Sequence, residues 1–163
     1  MSSLAAFSTP REDRRFEDYR AGEVYEFPET ASVSEEDIVR FAREFDPQYF
    51  HTDPAAAAGS PYKGLIASGA HTVALTFRMY VKNVLPGKAS FGSPGMDEVR
   101  WLKPLRPGDT LRIRATILET RPSRARADRG TIGVFVETIN QDGEVIMSYK
   151  ATNIIAKRPE SVR

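Results

Sequence analysis

Apolar positions along the chain follow a helical period in the first half and a period of two in the second. Ile38, Phe41, Ala42 and Phe45 recur three and four residues apart, which places them on one face of a helix. Ser34 with Asp37 three residues later reads as an S-x-x-[DE] cap, and Val33 with Ile38 as a hydrophobic staple. This helix is predicted to stop near Phe45, because Pro47 pushes Asp46 away from helical dihedrals. A second helix is predicted over residues 70–84, with Val73, Phe77, Tyr80, Val81 and Val84 on one side and Ala74 and Leu75 widening the stripe. Its only charged members are Arg78 and Lys82, and a helix so apolar is usually buried.

Beyond Pro94-Gly95 the period changes. Glu98-Val99-Arg100-Trp101-Leu102 alternates loosely, and residues 104–109 form a turn. Leu111, Ile113, Ala115 and Ile117 face one way with Arg112, Arg114 and Thr116 opposite, the pattern of a half-buried strand. Ile132, Val134 and Val136 form another; Val145, Met147, Tyr149 and Ala151 alternate beyond the hairpin signal Asp142-Gly143. With an early strand over residues 24–27 the count is four or five strands, mostly consecutive. Helices followed by an antiparallel meander indicate an α+β domain rather than βαβ repeats. Residues 1–20 read as a weakly structured arm, 21–157 as one domain and 158–163 as a tail. A single sheet around one apolar helix leaves open edges, so a homodimer closing an edge across a two-fold axis is expected.

Composition narrows the classes. The 163 residues are 40% hydrophobic and 28% charged, which excludes wholesale disorder. There is no cysteine, so disulfides and thiol chemistry are ruled out, and a reducing compartment fits. His51 and His71 are the only histidines; no metal and no cofactor are expected. The apolar stretch at 4–7 is too short for a signal peptide, and no run of about 18 apolar residues occurs, so a cytoplasmic protein without a membrane span is expected. A net charge of +1 argues against a nucleic-acid partner. Residues 100–129 nevertheless hold nine basic residues against three acids. They fit either a solvated outer sheet face or a landing site for a phosphorylated ligand.

Asp46 and His51 lie five residues apart on a segment bracketed by Pro47 and Pro54, read as irregular. A carboxylate and an imidazole in a partly dry cleft can hold one water, accept its proton and return it. The same spacing fits a turn-capping Asp46 and a satisfied core His51. Gly69 falls at the first turn of the second helix, where free N–H groups and the helix dipole suit a developing negative oxygen. Close helix–sheet packing would ask for the same glycine. His71 reads as a satisfied structural histidine.

The stretch Asp46-Pro47-Gln48-Tyr49-Phe50-His51-Thr52-Asp53-Pro54, followed by Gly64-Leu65-Ile66-Ala67-Ser68-Gly69, resembles the MaoC-like, (R)-specific enoyl-CoA hydratase family. That family carries D-x-N-P-x-H-x-[DE]-P and a glycine 18 positions after the histidine, as Gly69 follows His51. Leu102-Lys103-Pro104-Leu105-Arg106-Pro107-Gly108-Asp109 is similar to its P-x-x-P-G-D stretch. The resemblance spans about residues 20–155. It implies a hot-dog fold, assembly as dimers or higher oligomers, and reversible hydration of a trans-2-enoyl thioester carried by CoA or an acyl-carrier protein. It implies that Asp46 and His51 are the catalytic pair and that the Gly69 N–H is the oxyanion donor. Gln48 replaces the usual Asn, Tyr49 the usual Pro, and Ser68 the His that commonly precedes the glycine; these three are candidate substrate contacts. An acyl-CoA thioesterase and a non-catalytic acyl-thioester-binding subunit are the alternatives. Many thioesterases of this fold place a carboxylate on the central helix, and residues 70–84 have none.

Overall fold

A computed structural model describes residues 4–159. Helix α1 (Glu35–Phe45) starts where the cap signal places it. The Asp37 N–H donates to Ser34 Oγ at 3.1 Å, and the Ser34 N–H donates to Asp37 Oδ2 at 3.2 Å. Val33 and Ile38 are both buried. The helix ends at Phe45 because Asp46, ahead of Pro47, leaves helical dihedrals at φ −155° and ψ 71°.

The segment read as irregular instead forms two short helices, α2 (Tyr49–Thr52) and α3 (Pro54–Ala58). Asp53 separates them. Its Oδ1 accepts from the N–H groups of Ala55 and Ala56, while Pro54 supplies a first position that needs no donor. Helix α4 (Gly69–Asn83) follows, capped by Ser68.

Six strands make the sheet: β1 (Val24–Glu26), β2 (Ala31–Ser32), β3 (Gly95–Trp101), β4 (Thr110–Pro122), β5 (Arg129–Ile139) and β6 (Val145–Ala156). All pair antiparallel in the order β1-β4-β5-β6-β3, with β2 also on β4. Thus β4, β5 and β6 form the expected meander, whereas β3 crosses over to the far edge. The register sets Ala115 beside Val136 and Val134 beside Ala151, and these side chains, with Ile113, Ile117 and Ile132, form the inner layer of the core. Sheet and helix together give the hot-dog fold.

Helix α4 buries Tyr80 of the expected stripe, and Val84 at its C-cap, but the rest of its inner face differs from the one its apolar residues suggest. Thr72, Thr76, Met79 and Tyr80 face inward, Val73 and Val81 are half-buried, and Phe77 is 39% exposed. The threonines tolerate burial because their hydroxyls are bonded. Thr76 Oγ1 donates to the Thr72 carbonyl and lies 2.7 Å from Thr138 Oγ1 of β5. Tyr80 Oη donates to Asn153 Oδ1 of β6 at 2.7 Å. These two contacts fix the helix to the sheet.

The arm is also corrected. Within residues 4–20, Phe16 and Tyr19 are buried in the core. Arg14 Nη1 donates to the Asn83 and Val84 carbonyls at 2.6 and 3.3 Å, and Tyr19 Oη to the Val84 carbonyl at 2.7 Å. Arginine suits the last carbonyls of a helix, which lack intrahelical donors and carry the negative end of the dipole. The expected tail lies outside the described residues after Pro159, but Arg158 within it is tied to Asp18 at 2.7 Å.

Candidate active site

One cleft brings together the end of α1, α2, the start of α4 and the segment after β3. It encloses about 660 Å³ and is lined by Asp46, Gln48, His51, Ser68 and Gly69 together with an apolar wall that includes Phe50, Tyr62, Trp101 and Leu102. Asp46 reaches it because the C-terminus of α1 stops at that residue. His51 reaches it from α2, one turn later.

His51 is 4% exposed. Its Nδ1 lies 2.7 Å from the Ile66 carbonyl. A carbonyl only accepts, so Nδ1 carries a proton and Nε2 of the neutral ring keeps a free lone pair. That Nε2 lies 3.4 Å from Asp46 Oδ2. The Asp46 carboxylate accepts from Ser68 Oγ on Oδ2 at 2.6 Å and from Gln48 Nε2 on Oδ1 at 2.9 Å. The Ser68 hydroxyl above all holds this carboxyl below the usual aspartate range, against the opposing effect of burial. Two basic groups thus face each other, and a water between them would have a hydrogen for each.

Gly69 is the first residue of α4, and its N–H meets no acceptor among the described residues. A Cβ built on Gly69 would sit 2.6 Å from the Trp101 ring, and Trp101 Nε1 donates to the Gly69 carbonyl at 3.0 Å. The packing role and the free amide therefore coexist at one residue.

The structure separates the three candidate substrate contacts. Gln48 lines the cleft but spends its amide nitrogen on Asp46. Ser68 is 1% exposed, and its hydroxyl is taken up by Asp46 and the Ala70 N–H. Tyr49 is not part of the cleft lining; it is 49% exposed and packs edge-on against Phe50. His71 stacks on Phe41 at 4.4 Å, away from the cleft, and burial pushes its imidazole pKa down. Contrary to the expectation of a satisfied ring, its buried Nδ1 meets no hydrogen-bond partner among the described residues.

Trp101, Leu102, Tyr62 and Phe50 are wall residues that sequence reading missed. Trp101 lies 32 residues beyond Gly69 and meets it only because β3 pairs with β6, so no local spacing announces it. Four of the eight arginines in residues 100–129 lie on strands β4 and β5 with acidic partners. Arg112 pairs with Glu26, Arg114 holds Glu137 through two nitrogens, Arg121 pairs with Glu119 and Arg129 with Asp128. Arg106 instead donates to the carbonyl of Tyr62 at 2.7 Å, beside the cleft.

Residues 17–138 match the sequence profile of the MaoC like domain. The solved structure of the MaoC-like dehydratase from Rhodospirillum rubrum superposes with a TM-score of 0.83 at 38% identity, covering 90% of this chain and 99% of that one. Among curated proteins, uncharacterized protein YdeM of Bacillus subtilis (strain 168) is 31% identical over 144 residues, 88% of this chain and 99% of the relative. Mesaconyl-CoA hydratase of Cereibacter sphaeroides is 30% identical over 149 residues, 89% of this chain but 42% of that protein. The chain belongs to the MaoC-like dehydratase family. No helix among the described residues is long and apolar enough to cross a membrane.

Proposed function

We propose that the protein hydrates trans-2-enoyl thioesters reversibly to (R)-3-hydroxyacyl thioesters. The observation that carries this reading is the 3.4 Å approach of Asp46 Oδ2 to His51 Nε2 in the cleft that Gly69 also lines. A water held between the two bases gives up one proton, and its oxygen adds to the β-carbon. Electron density moves onto the thioester oxygen, and the proton is returned to the α-carbon. The Gly69 N–H stabilises the enolate-like oxygen, a contribution worth about 3–4 kcal/mol for one donor in a dry site. Asp46 suits the role of base because two neutral donors keep it ionised.

The absence of a carboxylate from α4 speaks against the thioesterase alternative. Incubating purified protein with trans-2-enoyl-CoA should yield (R)-3-hydroxyacyl-CoA with no free thiol. Release of CoA without the hydroxy product would support the thioesterase instead, and tight binding without either product a non-catalytic subunit.

The reading includes a homodimer that acts in the cytoplasm. β3 is an edge strand exposed along almost its whole length, with Met96 and Trp101 open to solvent, and a second copy would cover it. Light scattering at micromolar concentration should give twice the chain mass; a monomer would refute this part. For a CoA carrier, Arg106 is the arginine best placed to meet a phosphate. Arg106→Ala should raise KM and flatten its dependence on ionic strength.

A further inference from the structure

Ser68 joins the two halves of the cleft. It is the N-cap of α4 and is 1% exposed. Its hydroxyl has one hydrogen, donated to Asp46 Oδ2 at 2.6 Å, while a lone pair accepts the Ala70 N–H at 3.2 Å. Asp46 in turn closes α1, its N–H donating to the Ala42 carbonyl at 2.9 Å. One side chain therefore connects the C-terminus of α1, which carries the carboxylate, to the N-terminus of α4, which carries the free Gly69 amide.

The two donors to Asp46 are unequal. Gln48 is exposed and holds Oδ1, whereas Ser68 is buried and holds Oδ2, the oxygen that faces His51. We infer that Ser68 is a positioning residue: its hydroxyl keeps Oδ2 of Asp46 a proton acceptor and sets that oxygen in register with the Gly69 N–H. A residue that only caps α4 would have no effect on the carboxylate.

The surroundings of Asp46 leave few other candidates for this control. His51 of α2 is the charged or titratable group facing it. Lys103, on the segment after β3, lines the same cleft but is paired with Glu144. The Ser68 hydroxyl is also the strongest of the influences that hold the Asp46 carboxyl low.

The kinetic half of this inference rests on the proposed hydration, whereas the titration half needs no substrate. Ser68→Gly is the informative variant, since glycine is tolerated at an N-cap but has no hydroxyl to donate; Ser68→Ala is its companion, and Ser68→Thr restores both cap and donor. NMR titration of the Asp46 carboxyl carbon should show its midpoint moving up in Ser68→Gly and Ser68→Ala and returning in Ser68→Thr. With trans-2-enoyl-CoA, kcat should fall about tenfold to a hundredfold in Ser68→Gly, with KM little changed and the acid limb of the rate profile displaced upward. An Asp46 midpoint identical in wild type and Ser68→Gly overturns the inference. So does a displaced midpoint with unchanged kcat in an enzyme that hydrates its substrate. A midpoint displaced in Ser68→Gly, alongside a wild type that hydrates nothing, refutes the hydration reading while Ser68's hold on Asp46 stands.

Discussion

The indole of Trp101 lies directly over the α-carbon of Gly69. Its nitrogen donates to the Gly69 carbonyl at 3.0 Å, and its ring occupies the space a β-carbon would take. Trp101 is half exposed on an edge strand, so it can swing aside where a core side chain could not. Gly69→Ala is therefore expected to fold, displace the indole and misplace the amide beside it. Because Trp101 is the only tryptophan, its emission should report the displacement, and kcat should fall about tenfold or more. Unchanged emission together with an unchanged rate would show that the contact constrains nothing.

Acid should weaken the fold through two groups whose pKa values are held down, by different means. Asp46 is depressed by its hydrogen bonds, so its contribution is complete above the ordinary carboxylate pKa and is lost as pH falls through the lower folded value. His71 is depressed chiefly by burial against Phe41. The unfolded chain binds its proton more readily, so stability declines as pH drops below the ordinary imidazole range, before Asp46 is affected. His71→Phe keeps a stacked ring and removes that proton. Denaturation midpoints from pH 7 to 5 should fall in the wild type and stay flatter in the variant; parallel curves would contradict the assignment.

Arg14 and Tyr19 bring the N-terminal segment onto the last turn of α4. The guanidinium donates to the Thr9, Asn83 and Val84 carbonyls and lies 3.7 Å over the Phe7 ring. Arg14→Ala leaves the part-buried Thr9 and Asn83 carbonyls and the buried Val84 carbonyl without a charged donor and should cost about 1.5–3 kcal/mol in urea unfolding. Tyr19→Phe, which removes one neutral hydrogen bond, should cost about 1 kcal/mol. Losses below a few tenths of a kcal/mol in both would mean that the segment does not support the helix.

Features set by neighbours in the chain were legible in the sequence. Ser34 and Asp37 announce the start of α1, Pro47 its end, and the alternation from Leu111 to Ile117 an inward strand face. Asp46, His51 and Gly69 were likewise legible from local spacing and motif, and they line one cleft. What escaped depends on distant partners. Thr76 is buried because Thr138 waits on β5, and Tyr19 because Val84 offers a carbonyl. Phe45, on the apolar stripe of α1, is instead 63% exposed at the cleft, since the stripe outruns the core beneath it. Nothing in the order of residues revealed that the hydroxyl of Ser68 would be spent on Asp46.

Loss of the conjugated enoyl absorbance of trans-2-enoyl-CoA, followed in wild type, Asp46→Asn and His51→Ala, tests the central claim most directly. Asparagine keeps the shape of Asp46 without its basicity, so circular dichroism should remain native. The wild type should bleach the absorbance without added cofactor, and each variant should be slower by about a hundredfold to ten-thousandfold. Wild-type rates in both folded variants would contradict the account.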